Sequence, residues 1–216
     1  MVYRPIQSWA LSKVGVDVRV WSMGISAAGF AVSELSEVVN RCNPSFDLIG
    51  PISWRLRGSA RKSWVNWLDL VFEPVLLPHL WYVLDYSYRQ SANEIIALDA
   101  ELGKQLDAWS GRRSIEAGRT LIQQRAPRSD RVIGRLRAAI SRGDASGHFS
   151  TIYAVRCGLF SIPVRTALLS YALQELAAAG PRENGRLALL EMAAEPINEF
   201  LKTLSDSRRP GLCFHG

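Results

Sequence analysis

The sequence predicts an all-α fold: a single-domain multi-helix bundle with a central apolar helical hairpin. Three observations predict it. Apolar residues recur at intervals of three and four through most of the chain, the spacing that lines one face of a helix. The longest such run, Gly147 to Gly180, carries Pro163 where a second helix would start and Gly180 where it would end. The 216 residues are 48% hydrophobic and 21% charged, enough to bury a sizeable core and unlike a disordered chain.

In the hairpin, Phe149, Ile152, Tyr153, Cys157 and Phe160 form the stripe of one arm. Leu168, Leu169, Tyr171, Ala172 and Leu176 form that of the other. A tight turn at Ser161–Ile162 joins them. Arg156, Arg165 and Glu175 are the charges inside it, so it reads as the buried centre of the domain. His148 reads as the residue that opens the first helix, and Cys157 as a small core residue.

The remaining elements are taken in order. Residues 1–21 form an N-terminal arm, in which Val14, Val16, Val18 and Val20 alternate as in a strand. Residues 22–205 are the helical domain, and residues 206–216 a polar C-terminal tail. Phe30 to Val39 is the first helix, and Cys42 to Gly58, with its glycines and prolines, a loop. Ser59 to Phe72 is amphipathic, with Trp64, Trp67, Leu68 and Val71 inward. These rings, all on one face, read as core and not as a base-stacking platform. Pro74 and Pro78 should break or kink the chain before a helix over Leu80 to Tyr88.

Ser91 with Glu94 has capping-box spacing and opens a helix to Trp109, with Ile95, Leu98, Leu102 and Leu106 inward. Ser110–Gly111 ends it, and Ser114 to Gln124 is the next. Arg125, Arg128, Arg131, Arg135, Arg137 and Arg142 then make a basic stretch with a helical stripe of Val132, Ile133, Leu136 and Ile140. It reads either as a solvated helix face or as a docking surface for an acidic partner or phosphate. Asn184 to Leu204 is the last helix, which Pro196 should kink or split.

The net charge of +6 points to an acidic partner without identifying it. Three cysteines without a CxxC pair fit a reducing compartment. The N-terminus has no apolar stretch of signal-peptide length, and the apolar segment Trp64 to Leu84 is interrupted by charges and prolines. A soluble, cytoplasmic protein that meets no membrane is expected.

Chemical motifs are missing. There is no GxxxxGK[ST], GxGxxG, HExxH or GxSxG. His79, His148 and His215 are far apart, and Cys213 with His215 supplies two ligands where a structural zinc wants four. Asp99 and Glu101, two apart on a helix, do not face each other. No catalytic residue, metal or cofactor is predicted, and the chain reads as a non-enzyme.

Three stretches in order resemble the UreF family of urease accessory proteins. The first, Ser22 to Glu37, is similar to the family's Ser-Pro-x-Leu-Pro-x-Gly-Gly-Phe-x-x-Ser-x-Gly-Leu-Glu, with Ser22, Gly29, Phe30, Ser33 and Glu37 in place. The second, Ser114 to Ile122, resembles Ser-x-Gln-Met-Gly-Arg-x-Leu-Leu through Ser114, Gly118, Arg119 and Leu121. A glycine within a helix costs about 1 kcal/mol against alanine, so Gly118 marks close packing, across which Arg119 could reach. The third is His148, an apolar helix, Ile162–Pro163 and then Ala167, Leu168, Leu169 and Tyr171. Leu76–Leu77 and Leu98, Asp99 and Ala100 also look familiar. The chain departs from the family over Ala177 to Arg186, which is shorter, and in its C-terminal ending, so it resembles a divergent member.

The resemblance implies a helical, non-enzymatic scaffold. Its partners would be a UreD/UreH-type accessory protein, a UreG-type GTPase and the urease apoprotein that receives nickel, with a homodimer as one assembly option. The competing readings are a basic helical nucleic-acid-binding protein, from Arg125 to Arg142, and an enzyme with a site assembled from scattered residues.

Overall fold

The turn of the central hairpin is closed by backbone hydrogen bonds. Phe160 and Ile162 donate to the carbonyls of Arg156 and Cys157, each at 3.0 Å, and Ser161 adopts a φ of 52°. This left-handed ending satisfies the last carbonyls of the first arm, and Pro163 then precedes the second. The turn therefore sits where the sequence puts it. In the computed structural model, residues 29–44, 53–124, 130–178 and 183–207 are described. The N-terminal arm with its alternating valines and the end of the tail, with Cys213 and His215, lie outside them.

Among the described residues the elements are α1 (Val32–Cys42), α2 (Ala60–Tyr88), α3 (Ala92–Gln105), α4 (Ala108–Gln123), α5 (Arg131–Arg142), α6 (Phe149–Leu159), α7 (Val164–Ala178) and α8 (Glu183–Ser207). The all-α multi-helix bundle is as the sequence predicts. The hairpin arms α6 and α7 are its centre: α2 and α4 pack on α6, and α1, α8 and α2 on α7. Every residue from Phe149 to Cys157 is buried, as is every residue from Ala167 to Leu176. The arms meet through aromatic side chains. Tyr153 and Tyr171 have ring centroids 5.6 Å apart, and the hydroxyls of Tyr153 and Ser170 are 2.7 Å apart. Gly158 lets α6 approach α2, because a Cβ there would lie 2.7 Å from the Cβ of Ser87.

Four boundaries differ from expectation. First, Pro74 and Pro78 do not break α2. Between α-helical segments Ala60–Trp67 and Leu77–Tyr88, residues Leu68–Leu76 form a π-helix, with Pro74 inside. Proline opposes the carbonyl four residues back in an α-helix, and a wider turn is a recurrent way to carry it. Pro78 follows where the α-helical ladder resumes, so it too leaves a gap in the N–H donors of a continuous helix. Phe72, Leu76 and Leu77 are all buried, so packing holds the helix on both sides of Pro74. This 29-residue helix is long and apolar enough to cross a membrane, and 56% of its most apolar window is buried within the fold.

Second, the break between α3 and α4 falls at Asp107 and not at Ser110–Gly111. The Asp107 side chain accepts the N–H groups of Trp109 and Ser110 and the Ser110 hydroxyl, and so starts a new helix. Third, Ser91 precedes α3 without a side-chain cap, so the capping box does not form. Fourth, α8 runs unsplit through Pro196. Leu189, Leu190, Ala193, Ala194 and Ile197 are buried around it, and the Trp64 indole on α2 donates to the Leu189 carbonyl at 2.6 Å.

The tryptophans are core, as expected. Trp54 meets Trp64 edge to face, and Trp64, Trp67 and Phe72 stack in succession, at centroid distances of 4.8, 4.6 and 4.9 Å along the series, all buried.

Candidate functional site

Some of the residues that carry the resemblance, Asp99, Ser114, Gly118 and His148, meet at the start of the hairpin. Asp99 on α3 is fully buried. Its carboxylate accepts the N–H groups of Ser146, Gly147 and His148 at 2.7, 2.8 and 2.8 Å. These donors lead into the N-terminus of α6, where a negative charge is favourable. From α4, the Ser114 hydroxyl accepts the N–H of Phe149 at 3.0 Å. Gly118, one turn on, backs onto the same segment: a Cβ there would overlap the Gly147 carbonyl oxygen and stand 3.0 Å from the His148 carbonyl carbon. Gly147 has a φ of 77°, which favours glycine. Residues 146–149 are thus gripped by α3 and α4 together. The close-packing expectation for Gly118 holds.

His148 is buried, and neither ring nitrogen has a hydrogen-bond partner. A Cβ on Gly103 would lie 3.1 Å from its Nε2, so the ring rests where α3 carries no side chain. His79 on α2 is buried nearby, with Nε2 3.0 Å from the Thr151 hydroxyl. Burial pushes the His79 imidazole down to about 4, against the opposing pull of Asp99. Burial lowers His148 too, again opposed by Asp99. Both rings are therefore neutral near pH 7, and the junction is a structural joint.

The other resemblance residues do not join it. Ser22 lies outside the described residues. Gly29 has a φ of 74° and precedes Phe30, whose ring is in the core. Ser33 and Glu37 are exposed on α1, and Glu37 pairs with Arg41 at 3.7 Å. Helix α1 packs on α7 and α6 and makes no extensive contact with α4. Arg119 is exposed, on the side of α4 away from the buried Gly118 contact, so it does not reach across.

The basic stretch divides in the same way. Arg125 and Arg128 lie outside the described residues. Arg131, Arg135 and Arg142 are exposed on α5, while Val132, Ile133, Leu136 and Ala139 face inward. Arg137 donates twice to the Ile122 carbonyl, at 2.7 and 3.1 Å, and so ties α5 to the end of α4.

Two buried groups inside the hairpin gain partners that sequence alone did not supply. The Glu175 carboxylate accepts the N–H of Ser53 at 3.1 Å, its hydroxyl at 2.9 Å and the Tyr171 hydroxyl at 3.2 Å. Arg156 donates from Nε to the Cys42 carbonyl at 2.6 Å, beside Cys42 and Cys157, whose Sγ atoms are 3.5 Å apart. The clue in both cases is a charge within an apolar run. Among the described residues, no group of three or more His, Cys, Asp or Glu side chains could hold a metal ion.

No protein-family model, no curated protein sequence and no solved structure matches this chain.

Proposed function

We propose that the chain is a urease-maturation accessory scaffold: a non-enzymatic helical protein that binds a UreD/UreH-type accessory protein and a UreG-type GTPase before nickel enters urease apoprotein. One observation supports this reading above the rest. Asp99, Ser114, Gly118 and His148, from separate stretches that resemble the family, all meet at residues 146–149. The second and third stretches thus share one packing joint with Asp99, while Gly29, Phe30, Ser33, Glu37 and Arg119 lie outside it.

The test is co-purification of the chain with its two accessory proteins, followed by a salt titration of the complex and light scattering for the homodimer. Retention of both partners, with salt acting mainly on the association rate, is the expected result. Loss of both partners would overturn the reading.

A second reading has its own observation, the exposed Arg131, Arg135 and Arg142 of α5. A nucleic-acid-binding protein would bind duplex DNA with a log–log salt slope of about −0.9 per phosphate neutralised. Tight binding with that slope, and no accessory-protein complex, would favour it.

A further inference from the structure

The groove where α2 begins is lined by three cations, two of them in no ion pair among the described residues. Its volume is about 540 Å³, and it runs from the residues before α2 to the cap of α4. Among the described residues, Arg55, Arg57 and Lys62 line it against a single lining carboxylate, Asp107. Asp107 is already committed to the Trp109 and Ser110 N–H groups and the Ser110 hydroxyl. Arg57 and Lys62 are exposed and make no ion pair among the described residues. The Arg55 guanidinium lies 3.5 Å from the Trp109 ring centroid, which fixes its planar fork, and alongside the Ser110 hydrogen bond its charge helps to hold the Asp107 carboxyl below the usual range.

The backbone adds donors of the same sign. Ser59 provides no side-chain cap to α2, and no acidic residue stands in its first turn. Among the described residues, the positive end of this 29-residue helix therefore has neither a side-chain cap nor an acid in its own first turn. The loop before it is held in shape: the Arg57 N–H donates to the Ser63 hydroxyl at 2.9 Å, which donates to the Arg57 carbonyl at 2.7 Å. Trp54 lines the groove as well, and its indole N–H is buried with no acceptor. On the far wall, Leu70 is 73% exposed and Val71 half-buried, an apolar surface beside the charges.

We propose that this groove binds a soluble phosphate monoester, its phosphate among Arg55, Arg57, Lys62 and the first amides of α2 and its organic part against Leu70 and Val71. Three cations against one carboxylate leave two net positive charges, which matches a dianionic phosphate better than a single carboxylate. Guanidinium groups suit it further, since their forks grip two oxygens at once. The site stands independently of the accessory-scaffold reading.

The experiment is calorimetric titration of the full chain with phenyl phosphate and with inorganic phosphate. The expected result is saturable one-to-one binding of phenyl phosphate, tighter than that of inorganic phosphate. Arg57→Ala and Lys62→Ala should each weaken it about tenfold, the size of one lost charge-assisted hydrogen bond. Arg131→Ala, an equal loss of charge on α5, should leave it unchanged. Both groove side chains are exposed, so an unaltered thermal melt checks that the variants fold. A third arm uses vesicles of phosphatidic acid in phosphatidylcholine. Absence of saturable phenyl phosphate binding, equal weakening by Arg131→Ala, or binding to the vesicles alone would each overturn the proposal.

Discussion

The Asp99 carboxylate accepts the His148 N–H at 2.8 Å from a position with no solvent exposure, and backbone amides rather than a cation are its hydrogen-bond partners. Three such bonds converge on it. Asp99→Asn removes the charge and turns one acceptor into a donor that faces N–H groups. It should lower stability by about 3 kcal/mol, the upper part of the range for an unsatisfied buried group. Urea unfolding checks this, and a loss below about 0.5 kcal/mol would contradict a capping role for Asp99.

Gly118 and Gly134 make a matched pair. Gly118→Ala would drive a methyl group into the Gly147 carbonyl, so it should destabilise by about 3 kcal/mol. Gly134 lies within α5, and a Cβ added there would meet nothing within 4 Å, so Gly134→Ala should stabilise by roughly 0.5–1 kcal/mol. Denaturation midpoints of the two variants should move in opposite directions.

Acid should weaken the fold through His79. Its folded value of about 4 lies below the ordinary 6.5, so between these pH values the unfolded chain binds a proton that the native chain refuses. The contribution is fully present above pH 6.5 and is lost as pH falls through 4, on the order of 3 kcal/mol in all. His148 acts in the same direction. Stability measured against pH should fall less steeply over this window in His79→Gln. Equal slopes would show that burial does not hold His79 neutral.

Glu175 links the hairpin to the residues that lead into α2. Glu175→Ala strands the Ser53 N–H and the Tyr171 hydroxyl in the core, and about 3 kcal/mol should be lost. Hydrogen exchange at Ser53 should also accelerate, which a general loss of packing elsewhere would not single out.

Cys42 and Cys157 are fully buried, and burial pushes the Cys157 thiol well above its ordinary value. Both should resist iodoacetamide in the native protein and react on unfolding, read by peptide mapping. Labelling of either under native conditions would show that α1 opens readily from α6.

The helical class and the central hairpin were legible because they depend on the spacing of apolar residues, which a linear chain displays. So was Gly118, since a glycine within a helix is costly unless something comes close. The role of Asp99 was not. At sequence level it is one of two nearby carboxylates, and only the arrival of residues 146–148 from 47 to 49 positions away makes it a cap. Asp107 was overlooked for a local reason: Leu98, Leu102 and Leu106 continue their stripe up to the break, so the periodicity conceals it. The groove draws on Arg55, Lys62 and Asp107, a combination without periodicity that exists only once the start of α2 and the cap of α4 border the same groove.

The π-helical stretch of α2 also sets a phase. Each residue of an α-helix turns the chain by about 100°. A π-helix bonds residues five apart and so turns the chain less per residue, and Leu68–Leu76 spans less rotation than nine α-helical residues would. Were the stretch to become α-helical at its present length, His79, Leu80, Val83 and Leu84, now buried, would turn off the hairpin while Trp64 and Trp67 kept their places. The wide turn thus absorbs about one residue's worth of rotation, and deletion of one residue there, with return to an α-helix, should leave the two buried faces more nearly aligned than deletion of one residue within Leu77–Tyr88.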